Sequence, residues 1–270
     1  MKFRSGCYTF RWASASEILR FGALLTKRRY KKSPITETVI DIRLNPVPGR
    51  TLAALLPIRD QIGVDYPTVQ ETSKIVGQFR PNQSPTQQQI QTGFRFDSAD
   101  RKYVFLPGTE GFTVSRLSPY EHWEPFEKEA RRLWAIYRQF ADPIHCVRVA
   151  VRYINRIDIA LVPVELKDYF RTYPEISPDI PQMMSGMAMQ ILIPQKDGIV
   201  LSLIQAIVPP PKPGLASITL DLDIFKESQA EFNSEETIWK FLNDFRGIAD
   251  HTFESCLTDK ARQLFEPIVE

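Results

Sequence analysis

The chain has 270 residues, 43% of them hydrophobic and 24% charged, enough apolar material for a packed core and a balance that excludes a disordered or fibrous protein. Its net charge of +2 is unevenly spread: residues 1–32 carry nine Lys and Arg against Glu17 alone, which leaves the other 238 residues at −6. Nucleic-acid binding draws on clustered cations facing phosphates, so this mildly acidic body is a poor general nucleic-acid binder and the basic head alone is suited to that role.

Residues 1–32 are Arg-rich and acid-poor, as a transit peptide is. The pattern of a folded protein begins only at Ser33, so the head reads as an unstructured tail or as translation begun too far upstream. Thr36 to Leu44 alternates apolar and polar residues and predicts a first half-buried strand. Residues 51–62 predict a short helix or turn interrupted at Pro57. Tyr66 to Ile90 is rich in Gln, Pro, Ser and Thr, and Pro81 to Gln91 reads as a long surface loop. A three-stranded meander follows over residues 92–117, its strands marked by Phe94 and Phe96, by Tyr103 and Phe105, and by Phe112 and Val114. Ser118-Pro119-Tyr120-Glu121 has the capping-box pattern and predicts a helix start, with Pro125 as a kink or an alternative start. Trp123, Phe126, Ala130, Leu133, Trp134, Tyr137 and Phe140 recur at three- and four-residue steps as its core stripe.

Cys146 to Leu161 then alternates residue by residue and predicts a long central strand. Pro163 to Pro181 is a loop region with a helical turn near Leu166 to Phe170. A second meander runs through Met187 to Ile193, Ile199 to Val208 and Ala216 to Phe225, its first turn marked by Asp197-Gly198. A second long helix begins near Ser234, and Thr258 caps a last short one to Phe265. Meander then helix, twice over, predicts an antiparallel α+β fold with two long helices on one face of the sheet. Residues 33–270 form one domain on this reading, with lobes of similar plan at 33–160 and 161–270.

Period two divides the central strand. Val147, Val149, Val151, Tyr153, Asn155, Ile157 and Ile159 share one face, and Arg148, Ala150, Arg152, Ile154, Arg156 and Asp158 the other. The strand would span about 50 Å, so a bulge is expected near Tyr153 to Asn155. Guanidinium groups bind phosphate or carboxylate through parallel hydrogen bonds, which makes Arg152 and Arg156, with Arg148, Asn155 and Asp158 beside them, a candidate anion site. The plainer alternative is internal pairing beneath the helices, Arg152 with Asp158 or with Glu127 or Glu129.

Arg152-Tyr153-Ile154-Asn155-Arg156-Ile157-Asp158 resembles the signature of an uncharacterised, sporadically distributed family of bacterial and archaeal proteins of about this length. Ser33-Pro34-Ile35, Tyr120 and the segment Phe253 to Lys260 are similar too, and the resemblance covers roughly residues 28 to 266. It implies no activity or catalytic residue. The family's sporadic occurrence implies an accessory gene of a mobile or defence-associated region.

Other chemistry finds little support. His122, His145 and His251 form no metal-binding spacing. Asp221 and Asp223 share a strand face and, with a third carboxylate such as Asp41, could hold Mg²⁺ as a metal-dependent phosphodiesterase or nuclease would. Cys7, Cys146 and Cys256 are few, odd in number and far apart, which fits a reducing cytoplasm. His145 adjoins Cys146, but neighbours on a strand face opposite ways. No nucleophile elbow, phosphate-binding loop or dinucleotide fingerprint occurs, so no cofactor is expected. The longest apolar run near the start, Phe21 to Leu25, is too short for a signal peptide or a membrane span. The reading is a cytoplasmic, non-enzymatic module binding a partner protein or a small anionic ligand, in a defence or toxin-neutralising system. The metal-dependent enzyme is the alternative, and a homo-oligomeric scaffold a third reading.

Overall fold

A computed structural model describes residues 28–45, 51–78, 86–141, 146–160 and 163–268. In chain order the elements are β1 (Ile35–Leu44), a 3-10 turn (Leu52–Leu55), α1 (Ile58–Ile62), β2 (Thr68–Gln78), β3 (Thr86–Asp97), β4 (Tyr103–Gly108), β5 (Gly111–Leu117) and α2 (Trp123–Ala141). They continue with β6 (Cys146–Ile159), β7 (Ala188–Pro194), β8 (Ile199–Val208), β9 (Ala216–Glu227), α3 (Glu235–Cys256) and α4 (Asp259–Gln263). The strands form one nine-stranded antiparallel sheet in the order β2-β3-β4-β5-β1-β6-β9-β8-β7. The antiparallel α+β architecture expected from the sequence is therefore present, with β1 and β6 at its centre.

Alternation decides which face is covered. Ile40 and Ile42 of β1, Val149, Val151 and Ile157 of β6, and Leu220, Leu222 and Ile224 of β9 are buried against the helices. From α2 the stripe Trp123, Phe126, Leu133, Trp134 and Tyr137 enters this core, and from α3 Ile238, Trp239, Leu242 and Phe245. Aromatic rings knit the layers: Phe96, Phe105, Phe112 and Trp134 form a chain with centroids 5.9, 5.4 and 5.1 Å apart. Ser234 caps α3 by accepting from the Thr237 N–H at 3.2 Å, with Glu235 and Glu236 set against the positive end of the helix dipole. Thr258 caps α4 in the same way, accepting from the Ala261 N–H at 3.3 Å.

Four expectations need correction. Of Pro81 to Gln91, expected to be a long surface loop, the part from Thr86 on is strand: β3 forms a hairpin with β2, paired from Thr68 opposite Asp97 to Gln78 opposite Thr86, while residues 79–85 lie outside the described residues. At the end of the sheet such a hairpin is held by backbone hydrogen bonds and needs no apolar alternation. Helix α2 starts at Trp123 rather than at Ser118, and Pro125 falls in its first turn, where a missing N–H costs no helical bond. The irregularity expected near Tyr153 to Asn155 lies on the neighbouring strand, where Thr36 is the extra residue of β1. A second shift, at Val147, does lie in β6. Residues 28–32, placed by composition in the basic head, belong to the fold. The Lys31 N–H donates to the Glu266 carbonyl at 3.0 Å, and the Tyr30 hydroxyl donates to Glu254 at 2.6 Å while its ring packs edge-on to Phe265. The rest of the head, residues 1–27, lies outside the described residues. No helix among the described residues is long and apolar enough to cross a membrane.

Candidate functional site: an arginine and aspartate face

With Val149, Val151 and Tyr153 of β6 turned to the helices, period two sends Arg148, Arg152, Arg156 and Asp158 to the opposite face of the sheet. Register brings carboxylates up beside them. Asp41 of β1 and Phe225 of β9 both lie opposite Ala150, and Asp223 lies opposite Arg152. Ala150 is small, so the long side chain of Arg148 can lie across it between the flanking strands. Arg148 donates to Asp41 on one side and to Asp223 on the other, each at 2.9 Å, and stacks over the Phe225 ring at 4.6 Å. Asp41 also accepts from Arg43 Nε at 2.9 Å and from the Thr113 hydroxyl at 2.7 Å. Arg152 grips Asp221 with both arms, Nε to Oδ1 at 2.8 Å and a terminal nitrogen to Oδ2 at 2.5 Å. Arg156 donates to Asp158 at 3.0 Å and to the Pro209 carbonyl at 2.9 Å, and the Ser217 hydroxyl donates to Asp158 at 2.5 Å.

On β1, β6 and β9 the face carries Arg43, Arg148, Arg152 and Arg156 against Glu37, Asp41, Asp158, Asp221, Asp223 and Glu227, a mixed surface with a small acidic excess. Its layers differ in exposure. Asp41 and Asp221 are buried, whereas the Arg152 side chain is 44% exposed. Burial raises the Asp223 carboxyl above the usual carboxylate range, against the opposing pull of Arg148 and Arg152.

The sequence-derived candidates thus divide. Arg148, Arg152, Arg156 and Asp158 do come together on one face. Asn155 does not join them: it is buried on the helix side and its amide donates to the Leu220 carbonyl at 3.0 Å. The arginines are paired, but not beneath the helices and not with the partners expected. Glu127 is engaged by Arg131 and by the Trp123 indole, and Glu129 by Tyr66 and Arg132. Asp41, Asp221 and Asp223 share the face as a metal reading requires, yet each carboxylate is already held by a guanidinium that a divalent ion would have to displace. Among the described residues no group of three or more His, Cys, Asp or Glu side chains could hold a metal ion.

His122 is exposed, His251 is partly buried on α3, and His145 lies outside the described residues. Burial pushes the Cys146 thiol up to about 12 and raises that of Cys256, so both stay protonated and poorly nucleophilic. A feature missed in the sequence is a cleft of about 310 Å³ between α2 and the start of β4, lined by Asp65, Tyr66, Asp100, Tyr103, Glu129 and Arg132 among others. Tyr66 donates to Glu129 at 2.7 Å there, Arg132 bridges Glu129 and Asp65, and Ser98 donates to Asp100 at 2.6 Å, which helps hold that carboxyl below its usual range. These residues come from three separate segments and share no spacing that a motif could reveal. No protein-family model matches this chain, and no curated protein does.

Proposed function

We propose that the protein is a binding module whose arginine and aspartate face docks a partner protein. The observation that carries this reading is the grip of Asp221 on Arg152, a guanidinium fixed by two hydrogen bonds and still 44% exposed. Two of its five N–H donors are used, so others remain for a partner, and its geometry is set before binding, which lowers the entropy lost on docking. Arginine in a fixed, partly desolvated setting is a favoured interface anchor. The small acidic excess of the face favours a protein surface of mixed charge over a polyanion, and a small anion would have to compete with four aspartates already in place.

The halves support the same reading. In each, a strand at the sheet centre precedes a meander whose last strand returns beside it, and a long helix follows: β1, β3, β4, β5 and α2, then β6, β7, β8, β9 and α3. We read these as lobes of equivalent plan meeting at β1 and β6, where the face lies, with β6 (Cys146–Ile159) opening the second lobe rather than closing the first as the bounds 33–160 and 161–270 have it. A partner encoded in a defence or toxin-neutralising region fits the family that the chain resembles.

The test compares wild type with an Arg152→Ala, Arg156→Ala double variant in pull-down from native cells, quantified by mass spectrometry. The proposal expects partners captured by the wild type to fall by on the order of tenfold or more. A folded double variant that retains every partner would overturn it. A metal-dependent phosphodiesterase is the second reading, favoured by the convergence of Asp41 and Asp223 on a single cation, the Arg148 guanidinium. Divalent-ion binding by calorimetry, with cleavage of DNA, RNA or cyclic nucleotides, would establish it in place of the first.

A further inference from the structure

The two edges of the sheet are built differently. On the outer strand β2, Glu71 and Lys74 interrupt the edge, and Lys74 is paired with Glu110 at 3.2 Å. Charged side chains of this kind keep sheet edges from pairing with other chains. Strand β7, at the other edge, reads Ala-Met-Gln-Ile-Leu-Ile-Pro and has no charged residue from Ala188 to Pro194, with Leu192 61% and Ile193 36% exposed. Its outward backbone groups follow from the register. The Ile207 N–H donates to the Met187 carbonyl and the Gln195 N–H to the Ile199 carbonyl, so Met189, Ile191 and Ile193 turn their peptide groups to β8. Ala188, Gln190 and Leu192 therefore turn theirs to the open side.

We propose that β7 pairs antiparallel with β7 of a second copy of this chain, about a two-fold axis at Gln190. In that register Gln190 faces Gln190 of the second copy and Ala188 faces its Leu192. Each outward N–H meets an outward carbonyl, and Pro194, which has no N–H to give, falls beyond the paired stretch. The side chains match as well. On the arginine side the small Ala188 lies opposite the larger Leu192. On the helix side Met189 lies opposite Ile191, and Met187 opposite Ile193, so exposed apolar groups cover one another on both faces. No like charges meet across the axis. A strand from another protein would find the same backbone groups but not this self-matching order, which is the mark of an isologous contact. Edge pairing leaves the arginine face of each copy uncovered and turns the two to the same side, so the dimer stands independently of the partner-docking reading.

Sedimentation velocity of the full chain, with Leu192→Lys beside it, tests the assignment. Leu192 is mostly exposed, so the lysine leaves the monomer fold intact, which circular dichroism confirms. The expected result is a wild type of twice the 31.1 kDa chain mass and a variant of single mass. A Gln190→Cys variant in a Cys7→Ser background should also form a disulfide dimer under mild oxidation, since residues opposed in a hydrogen-bonded pair have Cα atoms about 5.5 Å apart. A wild type that stays monomeric up to its solubility limit would overturn the proposal. So would a dimer that survives Leu192→Lys, or one that forms only with a different protein bound to β7.

Discussion

Aspartates buried against a sheet must be reached by cations or lose their charge, and the carboxyls of this face meet that demand unequally. Asp221 is held by both arms of Arg152, while Asp223 shares Arg148 with Asp41 and is raised by burial. A carboxyl that is more readily protonated in the folded chain than in the unfolded one adds stability below its unfolded value, about pH 4, and that contribution is lost as pH rises through the folded value. An asparagine at this position has nothing to lose. The stability of Asp223→Asn relative to wild type should therefore increase as pH is raised from about 4 towards 7, measured by urea unfolding at each pH. A relative stability that falls over that range would show that the ion pair with Arg148 outweighs burial. At this scale the sequence revealed half of the arrangement. Alternation put Arg148, Arg152 and Arg156 on one face, but the identity of their partners depends on strand register. Asp41 and Asp221 are more than sixty residues from Arg152 in the chain, and no local pattern joins them to it.

Among the elements, those that bury an apolar stripe were the ones that could be read. The stripe of α2, the cap of α3 at Ser234, the Asp197-Gly198 turn and β6 beyond the irregularity at Val147 follow from periodicity or turn chemistry. The hairpin β2–β3 was legible only in part: the inner end of β3 at Phe94 and Phe96, which reaches the core, could be read as a strand, and the outer part could not, because polar residues dominate it. Its geometry is constrained all the same where it meets β4. A Cβ built on Gly93 would lie 2.3 Å from the Pro107 carbonyl oxygen and 2.9 Å from the Gly108 Cα, contacts that backbone atoms cannot relieve without moving. Gly93→Ala should thus destabilise the protein by about 1–3 kcal/mol, read as a lower midpoint of thermal or urea unfolding. An unchanged midpoint would mean that β3 and β4 separate there at little cost.

For the whole molecule, an antiparallel α+β plan with two long helices on one face was legible from the order of meanders and helices. The sheet order was not, since the pairing of β1 with β6 joins elements separated by the whole first meander and helix. That pairing assembles the candidate site: it sets Asp41 beside Arg148 and leaves the polar face of the central strands turned away from the helices. If β7 also pairs between copies, two such faces lie on the same side of one extended sheet, and a partner with two matching surfaces would bind by avidity. The central claim is that the arginine and aspartate face is where a partner docks. Arginine modification by phenylglyoxal, mapped by mass spectrometry on the free protein and on complexes captured from native cells, addresses it directly. The account predicts that Arg43, Arg152 and Arg156 are protected in the complex while Arg59 and Arg101, exposed away from that face, react as before. Protection of Arg59 or Arg101 with the face arginines still fully reactive would contradict it.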